Sequence, residues 1–110
     1  MEERQALAAL AALAHGTRIA VFRLLVREGP EGMPAGEVAQ RLDVPASTLS
    51  FHLKELERAG LIRATRQQRQ ILYAADHAGI RELLDFLLRD CCQGHPEICS
   101  GLTEAMTCGC

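Results

Sequence analysis

The 110-residue chain has no tryptophan, a single tyrosine (Tyr73) and three phenylalanines. Its core must therefore be built from Leu, Ile, Val and Ala, with Phe22, Phe51 and Phe86 the phenylalanines available to the fold. No cysteine precedes Cys91, and all five lie between there and Cys110. An odd thiol count argues against a closed disulfide framework and for metal-ligating or redox-active thiols. No apolar run approaches the ~20 residues of a membrane span. The acidic start "MEERQALAAL" lacks the basic-then-apolar order of a signal peptide. The expectation is a cytoplasmic protein with no membrane partner, in a compartment that keeps thiols reduced. The length fits one domain. A chain this short buries only part of its apolar surface, which favours a partner subunit.

A strong basic balance is also missing, since the formal net charge is −2. The distribution is informative where the total is not. From Val44 to Tyr73 five basic residues (Lys54, Arg58, Arg63, Arg66, Arg69) meet only two acidic ones (Glu55, Glu57). A basic segment on an otherwise acidic chain is a local footprint for nucleic acid.

Periodicity supplies the element order. Leu7, Leu10, Ala11 and Ala14 recur at helical spacing over 3–14. "HG" breaks that helix, and Thr17 is placed to cap the next, 17–28. This second helix carries Ile19, Val21, Phe22, Leu24, Leu25 and Val26 on nearly every side and is expected at the centre of the domain. "GPEGMP" reads as a loop, followed by a short helix over 35–42 and a turn at "DVP". The next helix, 46–59, starts near Pro45 and stops at Gly60, with Leu49, Leu53 and Leu56 on one face. "LIRATR" and "QILYAA" flank "QQR" as a hairpin. Asp76 caps a last helix, 77–90, striped by Ile80, Leu83, Leu84, Leu87 and Leu88. Two helices joined by a tight turn and followed by a two-stranded wing describe a winged helix-turn-helix, an α+β fold that is mainly α.

With the leucines of 46–59 turned inward, Ser47, Thr48, Phe51 and Lys54 project outward, with Ser50 and His52 at the flanks. The first residues of such a helix enter the major groove of double-stranded DNA. Its N-terminus also attracts phosphate. Arg66 and Arg69, near the hairpin tip, reach toward the DNA backbone or minor groove. His15 falls in a loop. No nucleophile–base pair is apparent, so an enzyme is not expected.

"LAALAHGTRIAVFRLLV", "GEVAQRLDVPASTLSFHLKELERAGLI" and the strand pair after them resemble the ArsR/SmtB family of metalloregulatory repressors, over roughly residues 5–90. The resemblance implies a homodimer through its first and last helices, two recognition helices on a palindromic operator, and an inducer that lowers DNA affinity. Residues 1–90 are then the DNA-binding and dimerisation domain, and 91–110 a cysteine-rich inducer-binding segment. The inducer sites common in the family do not transfer. The helix before the recognition helix, "AGEVAQRL", has no cysteine pair. Asp76 and His77 are adjacent, and leucine stands where the zinc-sensing branch has later ligands on the last helix. The hairpin tip "QQRQ" lacks the usual glycine.

The thiols supply a different site. In "CCQGHPEIC", Cys91 and Cys92 extend the last helical stripe, and Gly94 and Pro96 turn the chain so that Cys99 returns toward the pair. Three soft thiolates suit As(III) or Sb(III), whose lone pair leaves a three-coordinate pyramid, and exclude oxygen-preferring ions. The family resemblance extends to an arsenite-sensing subset with such a cluster. Cys108 and Cys110 are weaker candidates, as is His95, whose ring would suit zinc. The remaining alternatives keep the scaffold and change the signal to Cd(II), Pb(II), Zn(II), an organoarsenical or thiol oxidation. A small thiol-based arsenic-binding or transfer enzyme is the reading of a different class.

Overall fold

The computed structural model describes residues 1–89; the cysteine-rich segment lies outside them. Five helices and a small sheet follow one another as α1 (Glu3–Leu13), α2 (Gly16–Glu28), β1 (Met33–Pro34), α3 (Ala35–Leu42), α4 (Ala46–Arg58), β2 (Ile62–Gln67), β3 (Gln70–Ala75) and α5 (His77–Leu88). The expected winged helix-turn-helix is present, and helix ends fall within two residues of their sequence positions.

The core gathers Val21, Leu24 and Leu25 from α2, Val38 from α3, Leu49, Leu53 and Leu56 from α4, and Leu61 and Ile62 at the start of the wing. Helix α1 joins this core differently from its leucine spacing. Ala6, Ala9 and Ala12 are buried, whereas Leu7 and Leu10 are 60% and 40% exposed. Small alanines let α1 lie close to the body, which leaves the larger side chains outside. Helix α2 is likewise central on one face only, because Ile19 and Val26 remain exposed. On α5 only Leu83 is buried; Leu84 and Leu87 stay open.

The caps explain where the elements begin. Glu2 and Gln5 form a reciprocal capping box at α1. His15, not Thr17, caps α2: its Nδ1 accepts the Thr17 amide at 3.2 Å. Asp76 caps α5 by accepting the Gly79 amide at 3.2 Å. Gly60 has φ 81°, the left-handed conformation that ends α4 cheaply. A Cβ at Gly79 would overlap the Gly60 carbonyl oxygen, so the first turn of α5 rests directly on the α4 terminus.

The sheet has order β1-β3-β2, antiparallel throughout. Strand β1, read as loop from the sequence, pairs Met33 with Tyr73 and Pro34 with Leu72. Two residues are too few to show alternation, and Pro34 is tolerated because β1 is an edge strand. At the wing tip Gln67 pairs with Gln70, and Gln68 takes the positive φ (58°) that glycine would otherwise supply.

Candidate nucleic-acid interface

The turn between α3 and α4 is set by Asp43 in the left-handed region (φ 54°). Its amide donates to the Ala39 and Gln40 carbonyls, and the Val44 amide donates to Ala39 at 3.0 Å. These bonds close α3 while Pro45 opens α4 as its N-cap residue. Among the described residues no side chain caps that end, so its first amide groups are left for an outside acceptor, the arrangement that binds phosphate.

Once Leu49, Leu53 and Leu56 are anchored, Ser47, Thr48, Ser50, Phe51 and Lys54 are exposed along α4. Phe51 is 55% exposed, unusual for a phenylalanine and suited to apolar contact with a thymine methyl group. Helix α4 packs against β2, and β2 and the turn after it carry Arg63, Arg66 and Arg69, all exposed. Among the described residues the ion pairs are Arg41 with Glu28 (2.7 Å) and Glu37 (3.0 Å), and Arg58 with Glu55 (3.8 Å). Lys54, Arg63, Arg66 and Arg69 thus have no acidic partner there. Their charge is available to a polyanion.

His52 departs from its expected place. It is 5% exposed and points into the body of the domain. Its spacing explains this: Leu49, His52, Leu53 and Leu56 form an i, i+3, i+4, i+7 face. The His52 Nδ1 accepts from Arg18 Nε at 3.0 Å, and its ring centroid lies 4.5 Å from that of His15. Accepting at Nδ1 places the proton of the neutral ring on Nε2. Burial, then the charges of His15 and Arg18, hold the imidazole below its ordinary pKa of 6.5. As pH falls below 6.5 the unfolded chain takes up a proton that the folded chain refuses. The fold therefore loses stability until the folded-state pKa is passed.

Arg18 was not apparent from the sequence as a site residue. Besides His52 it reaches the Ala12 carbonyl through Nη1 at 3.3 Å, and its guanidinium carbon stands 5.7 Å from the Phe51 ring centroid. The available signal was its position three residues before Val21, at the end of the buried stripe of α2. Cys91, Cys92, Cys99, Cys108, Cys110 and His95 all lie outside the described residues. Within those residues no group of three or more His, Cys, Asp or Glu is placed to hold a metal ion.

Phosphate contacts are expected from the wing. Arg66→Ala or Arg69→Ala should each lower the slope of log affinity against log salt by about one unit and weaken all DNA sequences alike. Fluorescence anisotropy on matched and unmatched duplexes between 50 and 300 mM salt checks this, on the order of the range where such slopes are measured. A change in sequence preference with an unchanged slope would instead make the arginine a base reader.

Comparison with known proteins agrees with this geometry. A helix-turn-helix domain model matches residues 13–64. The HTH-type transcriptional regulator YgaV of Escherichia coli is 31% identical over 80 residues, covering 73% of this chain and 79% of that protein. The transcriptional activator HlyU of Vibrio cholerae is 26% identical over 91 residues, covering 83% and 82%. Among solved structures, reduced HlyU from V. cholerae superposes with a TM-score of 0.60 at 25% identity, covering 78% of this chain and 87% of that one. An ArsR family transcriptional regulator, RHA00566, gives 0.68 at 28% identity, with coverage of 81% and 89%. A protein described as a possible transcriptional regulator for arsenical resistance gives 0.61 at 26% identity, with coverage of 72% and 79%. These relatives are regulators of transcription, not enzymes.

Proposed function

Because the chain belongs to the ArsR/SmtB-like winged helix-turn-helix transcriptional regulators, we propose that it is a cytoplasmic homodimeric repressor, released from a palindromic operator when As(III) or Sb(III) binds Cys91, Cys92 and Cys99. The observation that carries the inducer is the thiol cluster itself. Three cysteines fall within nine residues, beginning three residues after α5 ends at Leu88. The donor set fits the ion: trivalent arsenic prefers sulfur and needs three such bonds. Each As–OH bond of arsenous acid exchanges for an As–S bond, and the hydroxide leaves with the thiol proton as water. The likeness to a protein described as a possible transcriptional regulator for arsenical resistance supports the same choice. DNA is bound by the exposed face of α4 and the arginines of the wing. The outward leucines of α1 and α5 join two copies.

A second reading has its own support. The V. cholerae relative has been solved in a form described as reduced, and vicinal thiols are candidates for reversible oxidation. Operator DNA, selected by this protein from a random pool, separates the two. Arsenite and antimonite should release the protein in the presence of reductant, whereas zinc and cadmium should not. Release by peroxide alone, reversed by dithiothreitol, would replace the arsenic reading with the redox one. Failure to select any DNA would overturn both.

A further inference from the structure

We infer that Arg18 is the positioning residue of the DNA-reading surface: through His52 it fixes the outward ring of Phe51 and ties that ring to the end of α1. The inference rests on the DNA-binding reading of α4 and adds to it a residue from outside the helix-turn-helix pair. Three contacts define the role. Nε donates to His52 Nδ1 at 3.0 Å, Nη1 donates to the Ala12 carbonyl at 3.3 Å, and the guanidinium stands over Phe51 at 5.7 Å. The Phe51 and His52 rings meet edge to face at 5.5 Å. One guanidinium thus holds the C-terminal turn of α1, its own helix α2 and two consecutive residues of α4.

This arrangement answers why a phenylalanine stands half in solvent at the middle of α4. An exposed ring searches several rotamers unless something holds it. Reading a base edge requires it in one, and the cation over its face favours that one. Lysine cannot substitute, because a point-charged ammonium lacks the planar fork that donates to two acceptors at fixed angles.

The joint is also sensitive to protons. The groups facing the His52 ring are His15, at the start of α2, and Arg18. Glu55 and Arg58 of α4 line the adjoining cavity of about 310 Å³ together with Arg18. A protonated His52 has no lone pair at Nδ1 for Arg18 Nε–H and adds a positive charge beside that of the guanidinium. Acid therefore releases Arg18 from His52, and Phe51 loses its support. Operator discrimination should fall in acid, at a pH below the ordinary histidine value of 6.5, because burial and the neighbouring groups lower the pKa of the ring.

The test compares wild type, Arg18→Lys and His52→Gln on selected operator and on scrambled duplex, by anisotropy, from about pH 4.5 to 8, a window that extends well below the ordinary histidine value. Circular dichroism establishes that each variant is folded. Arg18→Lys should lose at least about fivefold in the ratio of operator to scrambled affinity, the lower end of one misread base pair, with an unchanged salt slope. His52→Gln keeps an acceptor that does not titrate, so it should retain discrimination at neutral pH and flatten the acid fall seen in wild type. Undiminished discrimination in folded Arg18→Lys overturns the inference, as do identical pH profiles for wild type and His52→Gln. If Arg18→Lys is unfolded, the His52→Gln profile alone decides. Absence of DNA binding by wild type at any pH would instead defeat the reading on which the inference rests.

Discussion

Replacing Leu84 and Leu87 together by aspartate should leave each protomer folded and yield a monomer that binds operator DNA about 10²–10⁴-fold more weakly than wild type. The expectation begins with burial. Leu84 and Leu87 are 37% and 46% exposed, so they contribute little to the core of their own protomer. Helix α5 packs against α1, where Leu7 and Leu10 are exposed as well. Four open leucines on two neighbouring helices are costly in water. Burying a leucine fully is worth roughly 1.5–3 kcal/mol, and each would gain about half of that across an interface. Summed over two copies the gain is on the order of 10 kcal/mol, before the cost of association is subtracted. Aspartates there would desolvate charge against apolar surface and oppose their own symmetry mates. A monomer holds only one half-site and loses the effective concentration that its partner supplies. Sedimentation velocity at micromolar concentration, run beside anisotropy, reads both outcomes. A wild-type monomer, or a monomeric variant with operator affinity within threefold of wild type, would remove the dimer from the mechanism.

The sequence was most legible where one periodicity dominated. Helix α3 (Ala35–Leu42) and strand β3 (Gln70–Ala75) occupy the expected residues because clear stop signals bound each of them. Strand β1 was not legible, since two residues carry no alternation and only the pairing with Tyr73 and Leu72 makes them a strand. On α1 the spacing of Leu7, Leu10, Ala11 and Ala14 marked a helix but not the face that packs on the core, which close approach gave to Ala6, Ala9 and Ala12. His52 shows a different failure: its position on the leucine face indicated burial, but its polarity suggested the DNA surface. Arg18 supplies what polarity left out. It hydrogen-bonds a buried ring from another helix, and such a partnership depends on tertiary packing that local spacing does not encode. The exposed face of α4 and the basic wing were legible because both follow from what the core leaves outside.

The Cys92→Ser protein should bind its operator as wild type does and fail to leave it when arsenite is added. Retention of binding follows from distance along the chain: Cys92 comes after α5, whereas the DNA-facing side chains belong to α4 and the β2–β3 wing. Loss of response follows from coordination. A hydroxyl is a hard donor that trivalent arsenic exchanges readily for water, so the variant offers two lasting bonds in place of three. The coupling has a physical route, since Cys91 and Cys92 come three and four residues after the end of the helix whose Leu84 and Leu87 are proposed to join the subunits. In the proposed mechanism, drawing the three sulfurs together would bias the end of that helix, and with it the spacing of the two recognition helices. An effector shifts such an equilibrium only by its differential affinity for the two arrangements. A coupling of ~1–3 kcal/mol weakens operator binding roughly 5–150-fold, and reciprocity requires DNA to weaken arsenite binding by the same factor. His95→Ala should respond normally, because arsenic needs only sulfur. Truncation before Cys108 should also leave the response intact. Anisotropy on operator DNA, with arsenite titrated against each variant, is decisive. Wild-type release from Cys92→Ser would end the three-thiolate mechanism, and loss of release in the truncated protein would bring Cys108 and Cys110 into the site.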